Sequence, residues 1–192
     1  MCIRDRIKIK AYFDQAEALI DDGKGLDAIP VLNKILELDP KNEKVFKLKG
    51  EIYVMAGKLD YAAGALRKGL AVLPKSAYLW FDYGFVLGLE GRHAESLNCF
   101  NSAIKYKPGY ADAYLYKGYA LAKLSRFKEA VPCFQEVLKI NPNYERARLF
   151  LGISTYYSGN HEDGKKIIEL ALSKNPQIKG EMPDELKKNL NI

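Results

Sequence analysis

The sequence predicts an all-α fold, an α-solenoid of helix-turn-helix repeats, and three observations predict it. Pro40, Pro74, Pro108, Pro142 and Pro176 fall 34 residues apart without a slip. Gly50, Gly84, Gly118 and Gly152 keep the same interval, with Ala16 holding the place in the first unit. A small column (Ala28, Ala62, Ser96, Ala130, Gly164) and a large apolar column (Leu32, Leu66, Phe100, Phe134, Ile168) run in the same phase. A constant period of this length means stacked supersecondary units, each burying its apolar face against its neighbours.

The chain opens on a leader, residues 1–8. Met1 to Arg6 has no apolar period. Written as codons, ATG-TGT-ATA-AGA-GAC-AG gives its residues and matches the end of a transposase adapter used in sequencing libraries. These six residues therefore read as translated adapter, excluded from fold reasoning, with native sequence expected upstream. Five units follow without insertion: 9–42, 43–76, 77–110, 111–144 and 145–178.

Each unit reads as two helices joined by a short turn. In the fourth, Tyr114, Gly118 and Leu121 share one face of the first helix. Gly118 lets the second helix approach, Ala130 provides the matching gap, and Phe134 fills the space beside it. Gly23, Gly57, Gly91, Ser125 and Gly159 end the first helices in a turn that accepts positive φ. The periodic proline closes each second helix. Pro30 and Pro132 share a place near the start of the second helix, where a missing N–H is expected to cost less than in mid-helix. The tail 179–192 reads as a turn and a short capping helix, with Leu186 and Leu190 four residues apart.

The third unit carries "WFDYGFVL", then Ser96, Phe100 and Pro108. This resembles the tetratricopeptide repeat pattern W-x₂-L-G-x₂-Y…A-x₃-F…P, and the resemblance covers 170 of the 192 residues. It implies a right-handed solenoid whose first helices line a concave groove. Arg148 and Thr155 depart from the pattern, where the family prefers an aromatic and Tyr. The implied groove walls are places 2, 5, 6, 9, 12 and 13 of each unit. In the fourth unit these are Asp112, Leu115, Tyr116, Tyr119, Ala122 and Lys123; in the fifth, Arg146, Leu149, Phe150, Ile153, Tyr156 and Tyr157.

Little in the sequence points to catalysis. G-x-x-x-x-G-K-[ST], H-E-x-x-H and G-x-S-x-G do not occur. His93 and His161 hold equivalent places two repeats apart and read as solvated residues near helix starts. Cys99 and Cys133, 34 residues apart with no partner at ligand spacing, read as buried apolar residues rather than a zinc site or a disulfide. No cofactor, no metal and no enzyme activity are expected. No apolar run is long enough to span a bilayer, and the expected location is a reducing cytoplasm.

The expected function is a non-catalytic protein-interaction scaffold. The groove walls of the first two units are mixed and charged, and those of the last three are aromatic. The expected peptide-binding residues are Phe81, Phe85, Tyr116, Tyr119, Phe150, Ile153 and Tyr157, and the expected partner is a protein, peptide or helix with apolar anchors. Self-association is left open. Some family members grip a peptide's terminal carboxylate with Lys and Asn; Glu17 and Glu51 occupy places where Asn would be expected, so that clamp does not carry over. The alternative is a single-stranded RNA-binding repeat protein, because "KYKPGYADAYLYKGYALAK" interleaves basic and aromatic residues. Against it, the basic residues scatter, and a net charge of +6 permits contact with nucleic acid without arguing for it.

Overall fold

The computed structural model describes residues 2–191. Met1, the first residue of the expected leader, and Ile192, the last of the expected cap, lie outside the described residues. The architecture is all-α, of the helical-repeat solenoid class, with helices in tandem pairs and no strand among the described residues.

Two compact bodies divide the chain. The first, through Tyr106, holds α1 (Ile3–Asp21), α2 (Gly25–Leu38), α3 (Glu43–Met55), α4 (Leu59–Val72), α5 (Ala77–Leu89) and α6 (His93–Tyr106). The second, from Lys107, holds α7 (Ala111–Lys123), α8 (Phe127–Ile140), α9 (Glu145–Tyr157), α10 (His161–Lys174), a 3₁₀ turn (Pro176–Glu181) and α11 (Asp184–Leu190). Helix α1 begins at Ile3, so residues 3–8 are helical.

The columns have direct structural causes. A Cβ added to Gly118 would stand 2.7 Å from the ring of Phe134; one on Gly84 would stand 2.9 Å from Phe100 and Cys99. The paired helices approach so closely that only hydrogen fits. The fifth unit is tighter still. There Gly164 replaces the alanine of the small column, and its Cβ would lie 2.5 Å from the backbone nitrogen of Tyr156. Ser96 is tolerated in this column because its buried hydroxyl donates to the His93 carbonyl at 2.8 Å.

Gly23, Gly57, Gly91, Gly159 and Ser125 all have positive φ. At Ser125 a Cβ is carried into the left-handed region, which costs a non-glycine residue free energy. Side chains cap several first helices: Asn42 accepts from the Val45 N–H and Ser76 from the Leu79 N–H.

Arg148 replaces an aromatic side chain yet does part of the same work. Trp80 Nε1 donates to the Pro74 carbonyl at 2.8 Å; Arg148, at the equivalent place in the second body, donates to the Pro142 carbonyl at 2.5 Å. Its Nε also meets Glu145 at 2.8 Å.

One expectation is corrected. Pro30 and Pro132 are not in the first turn. With α2 starting at Gly25 and α8 at Phe127, each is the sixth helical residue, inside the helix. Each deletes one i→i−4 hydrogen bond. Both prolines are exposed, so the freed carbonyls face the hydrated side.

Each body has its own core. In the first, Ala28, Leu32, Ile35 and Val45 pack with Ile52, while Leu66, Leu79 and Val86 form a second cluster with Phe46. In the second, Leu149, Ile153, Ile168 and Ala171 pack against Ile178, Met182, Leu186 and Leu190 of the tail. The tail is thus tied down by four buried apolar side chains.

Candidate functional site: an aromatic cleft in the second body

A cleft of about 490 Å³ opens between the last turns of α7, the start of α8, one face of α9 and the tail. Helix α7 contributes Tyr119, Ala122 and Lys123; α9 contributes Arg146, Phe150, Ile153 and Tyr157. Spacings of three and four residues put each set on one helix face. Phe127 enters from the first position of α8, and Glu181 and Pro183 from the tail.

The rings support one another. Tyr119 and Phe150 meet edge to face with centroids 4.5 Å apart; Tyr116 meets Tyr119 in the same manner at 5.6 Å. Phe127 stacks on Tyr157 at 5.0 Å. Below them Phe134, a core residue with no exposed surface, lies 5.6 Å from Tyr119 and 6.0 Å from Phe150. Such pairs hold the rings at fixed angles, so the floor of the cleft is built in advance of any ligand.

The polar groups are few. Arg146 Nε donates to a Glu181 carboxylate oxygen at 2.6 Å, and its guanidinium carbon lies 5.8 Å from the centre of the Tyr119 ring. Lys123 forms no ion pair among the described residues. The Tyr119 hydroxyl is closed to solvent and has no hydrogen-bond partner among the described residues. Burial pushes its phenol well above the ordinary range, with nearby Arg146 opposing. Burial also raises the phenols of Tyr116 and Tyr157. With every phenol protonated at neutral pH, the cleft offers donors, apolar area and two cations.

Of the seven residues expected from the sequence, Tyr119, Phe150, Ile153 and Tyr157 line this cleft, and Tyr116 packs at its margin. Ile153 serves twice, being 4% exposed and part of the core. Phe81 and Phe85 belong to the first body, where their rings stack 6.5 Å apart and Phe81 leans on Phe100 at 6.0 Å. Two implied groove-wall residues are corrected: Leu115 and Leu149 are 2% and 0% exposed, and they are core. Their helices turn that place toward the packed interior.

Sequence reasoning missed Phe127, Glu181 and Pro183. Phe127 is the first residue of α8, a second helix of its unit, and so lies outside every groove place. The acidic residue in the tail carried no signal that singled out Glu181.

In the first body the groove places carry charges of both signs. Lys44 pairs with Glu17 at 2.8 Å and lies over the Phe13 ring; Lys47 lies over Tyr78. The Asp82 carboxyl is raised to about 6, chiefly by burial, with Lys47 opposing and Glu51 and Glu43 adding.

Comparison with known proteins agrees with this architecture. The tetratricopeptide repeat family model matches residues 111–144. The general transcriptional corepressor ssn6 of Schizosaccharomyces pombe is 29% identical over 85 residues, which are 43% of this chain and 8% of that protein. The chain therefore spans under a tenth of the length of the curated relative it matches. A crystal structure of MamA superimposes with a TM-score of 0.77 at 23% identity, covering 90% of this chain and 94% of that one. YrrB, described as a TPR protein with an unusual peptide-binding site, gives a TM-score of 0.73 at 22% identity, covering 86% of each chain. The fourth unit is thus a tetratricopeptide repeat, and the other four share its period and its helix pair, three of them with its close-approach glycine and the first with Ala16.

Proposed function

We propose that the chain is a non-catalytic protein-interaction scaffold that seats a peptide or helix in the cleft of its second body by one or two apolar anchors. The observation that carries this reading is the cleft itself: about 490 Å³, walled mostly by Phe127, Phe150, Ile153, Tyr157 and Tyr119. Concave apolar surfaces with a few fixed polar groups are the ordinary form of a recognition site. Aromatic rings contribute large contact area with little rotamer entropy to lose. The likeness to YrrB, whose description names a peptide-binding site, supports the same class of activity.

Phe81 and Phe85 in the first body are kept as a second, separate apolar place, because both are only half-buried. A cytoplasmic location fits the free, buried thiols of Cys99 and Cys133.

The test is selection of a random twelve-residue peptide library, displayed on phage, against the whole chain and against its Ala122→Trp variant. Ala122 lines the cleft without belonging to the core, so the indole fills the cavity and leaves the core intact. Peptides that enrich on the wild type and not on Ala122→Trp support the reading. Enrichment that is equal on both rejects this cleft as the site.

A further inference from the structure

We infer that the partner's anchor is accompanied by an Asp or Glu side chain, whose carboxylate takes Arg146 from Glu181 and accepts a hydrogen bond from the Tyr119 hydroxyl. The inference rests on the cleft being the binding site. It adds the chemistry of the occupant: an apolar, acidic peptide.

Four observations lead to it. The first is the Tyr119 hydroxyl. A buried O–H with nothing to donate to is costly in a native protein, and few such groups persist without a reason. This one belongs to a residue of the cleft wall, with the Arg146 guanidinium beside its ring.

The second is how little of Arg146 is used. Glu181 takes its Nε alone, and that is its sole hydrogen bond among the described residues. The terminal N–H groups of the guanidinium fork remain available, in the geometry that suits a carboxylate. The side chain is 48% exposed, so the existing ion pair is weak and screened.

The third is Glu181 itself. It shows that a side-chain carboxylate can reach Arg146 from a chain running past the cleft. Ile178 and Met182 on either side are buried, so the tail stays where it is. Only the Glu181 side chain has to turn outward to vacate the position. It is the internal counterpart of the partner's acid and its competitor.

The fourth is charge. Lys123 and Arg146 face Glu181 across the cleft, leaving one excess cation there. The second body as a whole holds 14 Lys and Arg against 10 Asp and Glu, so an acidic segment is drawn to it. Some tetratricopeptide domains grip a terminal carboxylate; here the acid is a side chain within a peptide, and the receiving groups come from α7 and α9.

The phage-displayed library tests this directly, because its peptides are fused at their C-terminus and present no free terminal carboxylate. Enriched peptides are expected to share an apolar anchor and an Asp or Glu at fixed spacing. A synthetic copy with an amidated C-terminus is then compared with its Asp→Asn or Glu→Gln counterpart on four forms of the full chain. On the wild type the acid is expected to bind about tenfold more tightly than the amide. On Arg146→Gln that preference disappears. On Glu181→Gln affinity for the acid rises about two- to fivefold, as a weak competitor is removed. On Tyr119→Phe affinity for the acid falls about fivefold, while the urea midpoint of the free protein rises, because an unsatisfied hydroxyl has gone. Opposite signs of binding and stability at one atom are what a purely structural hydroxyl could not give.

Peptides with a shared apolar anchor but no acidic preference would overturn this inference and leave the cleft as the binding site. An acidic preference that persists on Arg146→Gln would also overturn it. Failure to enrich any peptide, or enrichment that survives Ala122→Trp, removes both the inference and the reading on which it rests.

Discussion

Replacing helical glycines with alanine, one at a time, gives a graded test of the close-approach columns. Two effects compete at every site. Alanine gains roughly 1 kcal/mol over glycine in a helix interior. The added methyl costs roughly 1–3 kcal/mol where the core is already full. Gly64 in α4 has nothing within 4 Å of a built Cβ, so Gly64→Ala should stabilise by about 0.5–1 kcal/mol. Gly50 would meet the buried Leu66 side chain at 3.1 Å, a milder overlap that a shift of that side chain by a few tenths of an ångström relieves, so Gly50→Ala should be near neutral. Gly118 would meet the Phe134 ring at 2.7 Å, and the ring is hemmed in by Tyr119 and Phe150; about 1 kcal/mol of net loss is expected. Gly164 would meet the backbone of Tyr156 at 2.5 Å, where no rotamer offers relief. Gly164→Ala must push α9 and α10 apart and should cost about 2–3 kcal/mol. Urea unfolding followed by far-UV circular dichroism gives the order of the midpoints. The reasoning is refuted if Gly164→Ala is as benign as Gly64→Ala.

Other outcomes follow from single sites. Ser125→Gly should stabilise by roughly 0.5–1 kcal/mol in the same urea assay, since Ser125 alone among the five turn positions holds a side chain at positive φ. Phe134→Ala should cost about 3–5 kcal/mol and Tyr116→Ala much less, since the first side chain is fully buried and the second only partly; equal losses would place Tyr116 in the core. Asp82 has its folded pKa raised from 3.8 to about 6, so the native state holds more protons than the unfolded chain between those values, and stability falls as pH rises through that window. Asp82→Asn should remove that slope and stabilise at pH 7 by on the order of 2 kcal/mol; parallel pH profiles for the two proteins would contradict it. Cys99 and Cys133 should resist alkylation in the folded chain while Cys2 reacts, because burial pushes the Cys99 thiol up to about 12 and raises that of Cys133. Mass mapping after iodoacetamide treatment reads this directly.

The repeat itself was legible because its columns are imposed by contact. Where two helices meet at Gly84 or Gly118 no other residue fits, so the sequence has to show the period. The positive-φ turn was legible for a different reason, its backbone conformation: a Cβ at Gly23, Gly57, Gly91 or Gly159 would meet nothing within 4 Å, yet four of the five positions are glycine. Four cleft residues could be placed because the resemblance to the tetratricopeptide pattern implies which places of each first helix face the groove. What stayed hidden depends on small rotations and on non-periodic parts of the chain. Leu115 and Leu149 occupy a nominal groove place but roll into the core. Pro30 and Pro132 tolerate a lost hydrogen bond because that side of the helix is wet, which no local pattern reveals. Glu181 and Pro183 lie beyond the last repeat, where periodicity carries no information, and Phe127 opens a second helix rather than a first one.

The central claim is that the cleft of the second body is the recognition site, and Tyr157 tests it most directly. The residue is 36% exposed and its ring stacks on Phe127, so its loss should remove contact with a partner while sparing the core. Fluorescence polarisation would compare one labelled, library-selected peptide on the wild type and on Tyr157→Ala, with urea midpoints measured in parallel. A dissociation constant weakened about tenfold or more is expected, as for an anchor residue, at a nearly unchanged midpoint. An unchanged dissociation constant on a folded variant would mean that the peptide binds elsewhere.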